Sequence, residues 1–357
     1  MKKKLRVMSL FAGCGGIDLG FLMAQNSEYA YEVVWANDFD KDACESYKNN
    51  VDDKIVCGDI WDIDLDKTPD CDVIIGGFPC QDFSILRGGK REAFSSKRGV
   101  LYTKFVEAVS KKLPLFFVAE NVKGLLTAEG GWAIRKIVED FEQVDHIGYD
   151  VQIKLINFAD YGVPQKRERV VIVGVRNDLG LKFQFPKETH KGRHVAAKTA
   201  LLGAEKVKEN NEHMQVHEST VAKLKQIPAG GNYKDLPDSK NKNWMSIIYK
   251  RLHPDKPSPT IVACGGGGTW GYHYSEPRPL TNRERARIQS FPDDFVFSGS
   301  VAEVRRQIGN AVPPLGIKPV AEQLLRMLQL KEPAKTVKTR QKKLLYPVTA
   351  DISASTP

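Results

Sequence analysis

The chain has 357 residues, 41% of them apolar and 27% charged, which is enough to bury one large core and a smaller second one. No run of 18 apolar residues occurs, and the six cysteines, at 14, 44, 57, 71, 80 and 264, form no CxxC pair, so the sequence offers no membrane span, disulfide framework or zinc site and fits a reducing cytoplasm. The net charge of +9 is segregated: residues 1–6 and 331–357 carry +4 each, residues 86–98 carry five basic residues against Glu92, residues 176–256 carry sixteen basic against nine acidic, and the remainder sums to −10, a distribution suited to holding a polyanion.

Residues 5–10 read as an apolar strand that runs into Phe11-Ala12-Gly13-Cys14-Gly15-Gly16, a glycine turn ahead of a helix. Such a turn lets backbone pass close to a cofactor. It lacks the G-x-G-x-x-G spacing of dinucleotide sites, so a cofactor without a pyrophosphate, such as S-adenosylmethionine, fits better. A second strand at 33–36 ends near Asp38, an acid placed for ribose hydroxyls. A helix at 41–49, a short strand at 55–56 and a fourth strand at 73–75 follow. That strand stops at Gly76 and Gly77, and the next eight residues from Gly77 read GFPCQDFS. Cys80 therefore sits just past a strand's carboxyl end, where open α/β sheets bind ligands. With a reference pKa of about 8.5 its thiol is mostly protonated at neutral pH, so it is either an activated nucleophile or a packed core cysteine.

Helices at 102–112 and 132–143 and strands at 115–119, 151–155 and 170–175 complete an alternating pattern, which predicts an α/β fold with a doubly wound, mostly parallel sheet. Beyond Arg176 the pattern gives way to Lys-rich, turn-rich sequence, predicting a second, smaller, irregular domain. Thr281 and Glu284 have the spacing of a capping box opening a helix to about Ser290, and residues 316–330 are amphipathic and suited to return to the first domain. The expected organisation is 1–177, 178–277, 278–330 and a basic, patternless tail at 331–357. His213 and His217 lie one helical turn apart without a third ligand nearby, so they read as an exposed polar face.

Five motifs occur in one order: FAGCGG, GFPCQDFS, Glu120-Asn121-Val122, QKRERV from Gln165, and QIGNAVPP from Gln307. With these the chain resembles DNA (cytosine-5) methyltransferases of the bacterial restriction-modification type, over about residues 5 to 330. The resemblance implies the S-adenosylmethionine-dependent methyltransferase fold with a target-recognition domain at 178–277. It also implies that Cys80 adds to carbon 6 of cytosine, so that carbon 5 becomes nucleophilic enough to take the methyl group, with S-adenosylhomocysteine as by-product. Glu120 would hold ring nitrogen 3 and the exocyclic amine, and Arg167 and Arg169 would bind the carbonyl oxygen or orient Glu120 or the cysteine loop. The cofactor would meet Phe11, Ala12, Gly13, Gly15 and Gly16, then Asp38 and Phe39, then Asp59 and Ile60. Pro79, Leu101, Asn310 and Val312 would close the pocket. For Asp59 a helix cap and for Asn310 a turn are the competing structural roles.

The ring carbons are hidden in the stack of a duplex, so the resemblance also implies that the base is swung out at a cost of a few kcal/mol. The loop 81–99, with Gln81, Ser84, Arg87, Lys90, Arg91, Lys97 and Arg98, would close over it and grip phosphates. Sequence reading would fall to Gly231 and Tyr233 and to Thr269, Trp270, Tyr272 and His273. The implied partner is double-stranded DNA, bound by a monomer in the bacterial cytoplasm with no membrane contact, and whether a restriction endonuclease accompanies it stays open. A zinc-dependent deaminase is excluded by the missing second cysteine after Pro79-Cys80. A tRNA cytosine methyltransferase of the same fold would carry a second proline before the cysteine, threonine at Ser84 and no large middle segment, and a silent DNA-binding module would not need both Cys80 and Glu120.

Overall fold

A computed structural model describes residues 2–79, 101–239, 244–263 and 270–330. Cys80, the loop 81–99, Thr269 and the tail 331–357 lie outside the described residues.

The centre is a seven-stranded sheet. In chain order its strands are β1 (Lys3–Leu10), β2 (Tyr29–Asp38), β3 (Ile55–Cys57), β4 (Val73–Gly76), β5 (Phe116–Val122), β6 (Tyr149–Asn157) and β7 (Glu168–Arg176). They lie in the order β3-β2-β1-β4-β5-β7-β6, and β7 runs antiparallel to both of its neighbours. Helices α1 (Gly16–Leu22), α2 (Lys41–Asn50), α3 (Leu101–Lys112) and α4 (Trp132–Glu142) supply the crossovers. The chain builds outward from β1 to β3 and then crosses back to β4, so the order reverses between β1 and β4 and opens a crevice at their carboxyl ends.

The central strands are covered on both faces, which is why they read as continuous apolar runs instead of alternating ones. On one face Leu5, Val7, Phe116 and Val118 pack with Ile17 and Phe21. On the other Met8, Leu10, Ile74 and Phe117 pack with Phe105, Ile137 and Phe141. Each fully buried phenylalanine here contributes roughly 1.5–3 kcal/mol. Gly76 is required by the sheet itself, because a Cβ there would meet the Leu10 carbonyl oxygen at 2.2 Å.

After β7 come α5 (Ala197–Leu201), α6 (Glu218–Gln226), a two-stranded pair of β8 (Lys250–Arg251) and β9 (Trp270–Tyr272), and then α7 (Asn282–Ile288), α8 (Val301–Asn310) and α9 (Pro314–Gln329). Helix α9 packs into the first core through Ile317, Val320 and Leu324, and its Ala321 carbonyl accepts a hydrogen bond from the Tyr31 hydroxyl at 2.9 Å. Helix α7 opens on the predicted capping box: Thr281 accepts from the Glu284 amide at 3.1 Å and Glu284 accepts from the Thr281 amide at 2.8 Å. It stops at Ile288, and Ser290 turns away at φ 64°. Helix α8 is not expected from the sequence pattern, and its last four residues are the start of the QIGNAVPP motif. Among the described residues no helix is long and apolar enough to cross a membrane, and no group of three or more His, Cys, Asp or Glu could hold a metal ion.

Candidate active site

The glycine turn, the ends of β2, β4 and β5 and the turn after α8 converge on a cavity of about 530 Å³ at the switch point. Its wall includes Phe11, Ala12, Gly13, Gly16, Asp38, Phe39, Pro79, Glu120, Asn310 and Val312. Phe11 leaves β1 at φ 54° and Gly13 follows at φ 55°, a left-handed path that turns the backbone around the cavity. Gly16 must be glycine, since a Cβ would lie 2.3 Å from the Val312 carbonyl oxygen. The turn is fixed from the side by Asp38, whose Oδ2 accepts from the Gly13 amide at 2.7 Å and whose Oδ1 accepts from the Asp40 amide at 2.9 Å. Burial raises the pKa of Asp38, and these hydrogen bonds oppose the rise. Next to it Phe39 is 70% exposed, an aromatic ring held at the rim by no core packing.

The cavity suits a nucleoside-bearing cofactor: a close backbone turn, a half-buried acid at a strand end and an open aromatic face beside it. Four expected contacts fall outside its lining. Gly15 faces Val51 and Tyr47 instead. Asp59 caps a short turn, accepting from the Trp61 amide at 3.0 Å, and Ile60 is buried in the core. Leu101 opens α3 and is half-buried against that same core.

At the inner end of the cavity, Glu120 and Arg169 meet. Glu120 is 8% exposed on β5, and Arg169 Nε lies 2.9 Å from its Oε1. The N–H is not aimed along that line, so Oε1 is buried without a hydrogen bond among the described residues. Burial pushes the Glu120 carboxyl up, against the pull of Arg169 and Arg167. A buried carboxylate with an unmet acceptor, facing a cavity, is a receptor for a donor brought by a ligand. Gly77 makes room for it, with a Cβ there falling 3.3 Å from Glu120 Oε2. Asn121 then ties β5 to the loop that leads to Cys80, donating to the Phe78 carbonyl at 3.1 Å.

Arg167 also lines the cavity, with its guanidinium engaged by backbone. It precedes β7, is 1% exposed, and its guanidinium donates to the carbonyls of Ile261 at 3.2 Å, Gly309 at 2.9 Å and Asn310 at 3.4 Å. It clamps the segment at 261 to the last turn of α8, and the arginine paired with Glu120 is Arg169. Gln165 works beside it, donating to Gln289 at 2.8 Å and accepting from the Ile261 amide at 2.8 Å. Sequence reading left Gln165 without a role. Its place at the head of a basic motif hid a neutral side chain that satisfies buried polar groups.

Three residues expected to contact DNA are buried. Tyr233 is 2% exposed and donates to the Trp244 carbonyl at 2.6 Å, and Tyr272 is likewise 2% exposed. His273 is 6% exposed, with Nδ1 accepting from the Ser275 amide at 3.2 Å and the Glu276 amide at 3.1 Å. These rings pack inside the segment that follows β7. Gly231 packs against Asp235 and Ile227. His217 caps α6 by accepting from the Ser219 amide.

A second cavity of about 580 Å³ shares Val122 and Arg169 with the first and is otherwise lined by Lys123, Gly124, Asn157, Lys166, Glu168, His194 and Thr260. His194 Nε2 is 2.7 Å from Asp160 Oδ1, and Lys123 pairs with Glu168 at 3.0 Å on the open side.

A family model for C-5 cytosine-specific DNA methylases matches residues 5–326. The chain is 51% identical over 334 residues to the Type II methyltransferase M.NgoFVII of Neisseria gonorrhoeae, covering 90% of this chain and 87% of that protein. It is 40% identical to the Type II methyltransferase M.BbvI of Brevibacillus brevis, covering 90% and 91% of the two chains. Among solved structures, a putative DNA modification methyltransferase encoded within a prophage (E. coli) superposes with a TM-score of 0.67 at 25% identity, over 91% of this chain and 99% of that one. The S. pombe Dnmt2 methyltransferase, at 18% identity and a TM-score of 0.63, covers 92% and 99% and shares the fold. On the ordered motifs, the crevice they line and these likenesses, the chain belongs to the C-5 cytosine-specific DNA methylase family.

Proposed function

We propose that the Glu120–Arg169 end of the first cavity receives a cytosine swung out of double-stranded DNA, while its Phe11–Asp38 end holds S-adenosylmethionine. As in its family, the chain methylates carbon 5 of that cytosine through a covalent adduct on Cys80. When bound, the cofactor supplies an electrophilic methyl group carried on a sulfonium.

The chain's own groups do the rest. The Cys80 thiolate bonds to carbon 6, and the electron pair of the 5,6 double bond shifts to carbon 5, in conjugation with carbon 4 and nitrogen 3. Carbon 5 uses that pair to bond the methyl group, and the pair of the broken methyl–sulfur bond stays on sulfur. Glu120 accepts from the exocyclic amine and supplies a proton or hydrogen bond at nitrogen 3, where negative charge collects. Arg169 holds the carbonyl oxygen side and keeps Glu120 in place. Once carbon 5 carries the methyl, its proton leaves to a base, the double bond re-forms and the thiolate departs. The Glu120 carboxyl, pushed up by burial, suits a group that must share a proton with the base.

The observation that carries this reading is the buried Glu120 carboxylate, 2.9 Å from the Arg169 guanidinium, on the wall of the cavity. The neighbouring basic cavity fits the phosphates on either side of the base, with Lys123, Lys166 and His194 as donors. We assign the 178–277 segment to site reading and the organisation to a monomer, with any restriction endonuclease acting separately. Transfer of labelled methyl to duplex DNA, abolished in Cys80→Ala, tests the function. Labelling of tRNA alone would overturn the DNA substrate.

A further inference from the structure

Asp18 lies on α1 within one turn of the glycine loop and is 1% exposed. Its carboxylate is shared between two elements: Oδ1 accepts from the Tyr47 hydroxyl of α2 at 2.7 Å, and Oδ2 accepts from the Ser9 hydroxyl of β1 at 3.0 Å. Ser9 stands two residues before Phe11, and the Tyr47 ring packs where a Gly15 side chain would be, at 2.9 Å from that Cβ position. One acid thus joins the three elements that frame the cofactor turn.

Burial pushes the Asp18 carboxyl up to about 6, against the pull of the bonds from Tyr47, Ser9 and its own backbone. Asp18 stands behind the cavity wall, which Cys14, Gly16 and Ile17 form; burial, and after it the negative charges of Asp38, Asp18 and Asp40, push the Cys14 thiol up. The other charged groups nearby are accounted for. Asp40 is paired with Arg306 of α8, Asp38 holds the Gly13 and Asp40 amides, Asp52 acts on Tyr47 from behind, and Lys318 of α9 pairs with Glu322 at 3.5 Å.

A carboxylate kept out of water is costly, and retention of one beside a ligand cavity fits an opposite charge arriving there. A sulfonium has no N–H or O–H to donate, so it is held by weak C–H and aromatic contacts and by the surrounding electrostatic field. We infer that Asp18 is an electrostatic positioning residue: it pins the cofactor turn through Ser9 and Tyr47, and its negative charge favours the cationic methyl donor over the uncharged thioether product. This rests on the cofactor proposed above and adds product discrimination to it.

The linkage has a definite sign. A cation in the cavity favours ionised Asp18, so binding of S-adenosylmethionine near pH 6 expels the proton. Its affinity therefore rises as pH climbs through about 6 and then levels off. S-adenosylhomocysteine lacks the sulfonium and shows no such rise. Asp38, on the ribose side common to both ligands, cancels in their ratio.

Calorimetric titration of the full chain with each ligand from pH 5 to 8 tests this. The preference for S-adenosylmethionine over S-adenosylhomocysteine should grow roughly three- to tenfold across that range. In Asp18→Asn the ratio of the two affinities should stay at its low-pH value across the whole range, whatever the change in each affinity. Tyr47→Phe removes a bond that favours the carboxylate and should move the inflection to higher pH. An unchanged ratio and inflection in Asp18→Asn would overturn the inference. If that variant does not fold, an unmoved inflection in Tyr47→Phe does so. Failure of wild type to bind either ligand would instead sink the cofactor assignment.

Discussion

Arg169 Nε stands 2.9 Å from Glu120 Oε1 across the antiparallel pair β5–β7, on strands whose register sets Glu120 opposite Val171 and Val122 opposite Arg169. The guanidinium steadies a carboxylate that faces the cavity. Glu120→Gln keeps the shape and loses the proton-sharing group. It should cut single-turnover methyl transfer by about 10²-fold or more, with cofactor affinity nearly unchanged. Equal loss of cofactor binding would place Glu120 on the wrong ligand.

Arg167 and Arg169 are two residues apart and should fail differently. Arg167→Ala strips donors from three buried carbonyls and opens the joint between the 261 segment and the turn at Asn310. It should destabilise the fold by about 3 kcal/mol or more. Arg169→Ala should cost activity with a much smaller change in stability. Thermal unfolding of both variants beside their methylation rates checks the contrast, and the opposite pattern would return Arg167 to the base.

The sequence made the parallel core, the glycine turn and the Glu120 strand end legible because each rests on local chemistry: apolar runs, left-handed backbone, an acid where a strand stops. It could not separate Arg167 from Arg169, because that difference depends on carbonyls at 261, 309 and 310, brought close only by the return of the chain. The burial of Tyr233, Tyr272 and His273 was hidden for a related reason: it depends on how the segment after β7 folds on itself, which no local pattern near the glycines shows. Asp18 was invisible among the glycines because its partners, Ser9 and Tyr47, are distant in sequence or on another element.

Phe39 offers a cleaner probe of the cofactor end than its neighbour Asp38. It is 70% exposed, so Phe39→Ala should leave the unfolding temperature almost unchanged while weakening S-adenosylmethionine binding by roughly tenfold through loss of an aromatic face. Asp38→Ala should weaken binding too, but it also frees the Gly13 and Asp40 amides and should lower stability. Equilibrium dialysis with thermal melts distinguishes the two. Wild-type affinity in Phe39→Ala would show that the adenine lies elsewhere.

The second cavity makes a prediction that salt can read. If Lys166 and Lys123 meet phosphates there, each contact releases counterions, and removing one should weaken binding on specific and unrelated duplexes alike. Lys166→Ala should therefore reduce the slope of log affinity against log salt by about 1. Lys123 is paired with Glu168 in the free protein, so Lys123→Ala also unmasks a carboxylate facing the same space and should weaken binding further. Glu168→Gln should do the reverse and tighten it. A salt slope unchanged in Lys166→Ala would mean that the DNA backbone runs along another face.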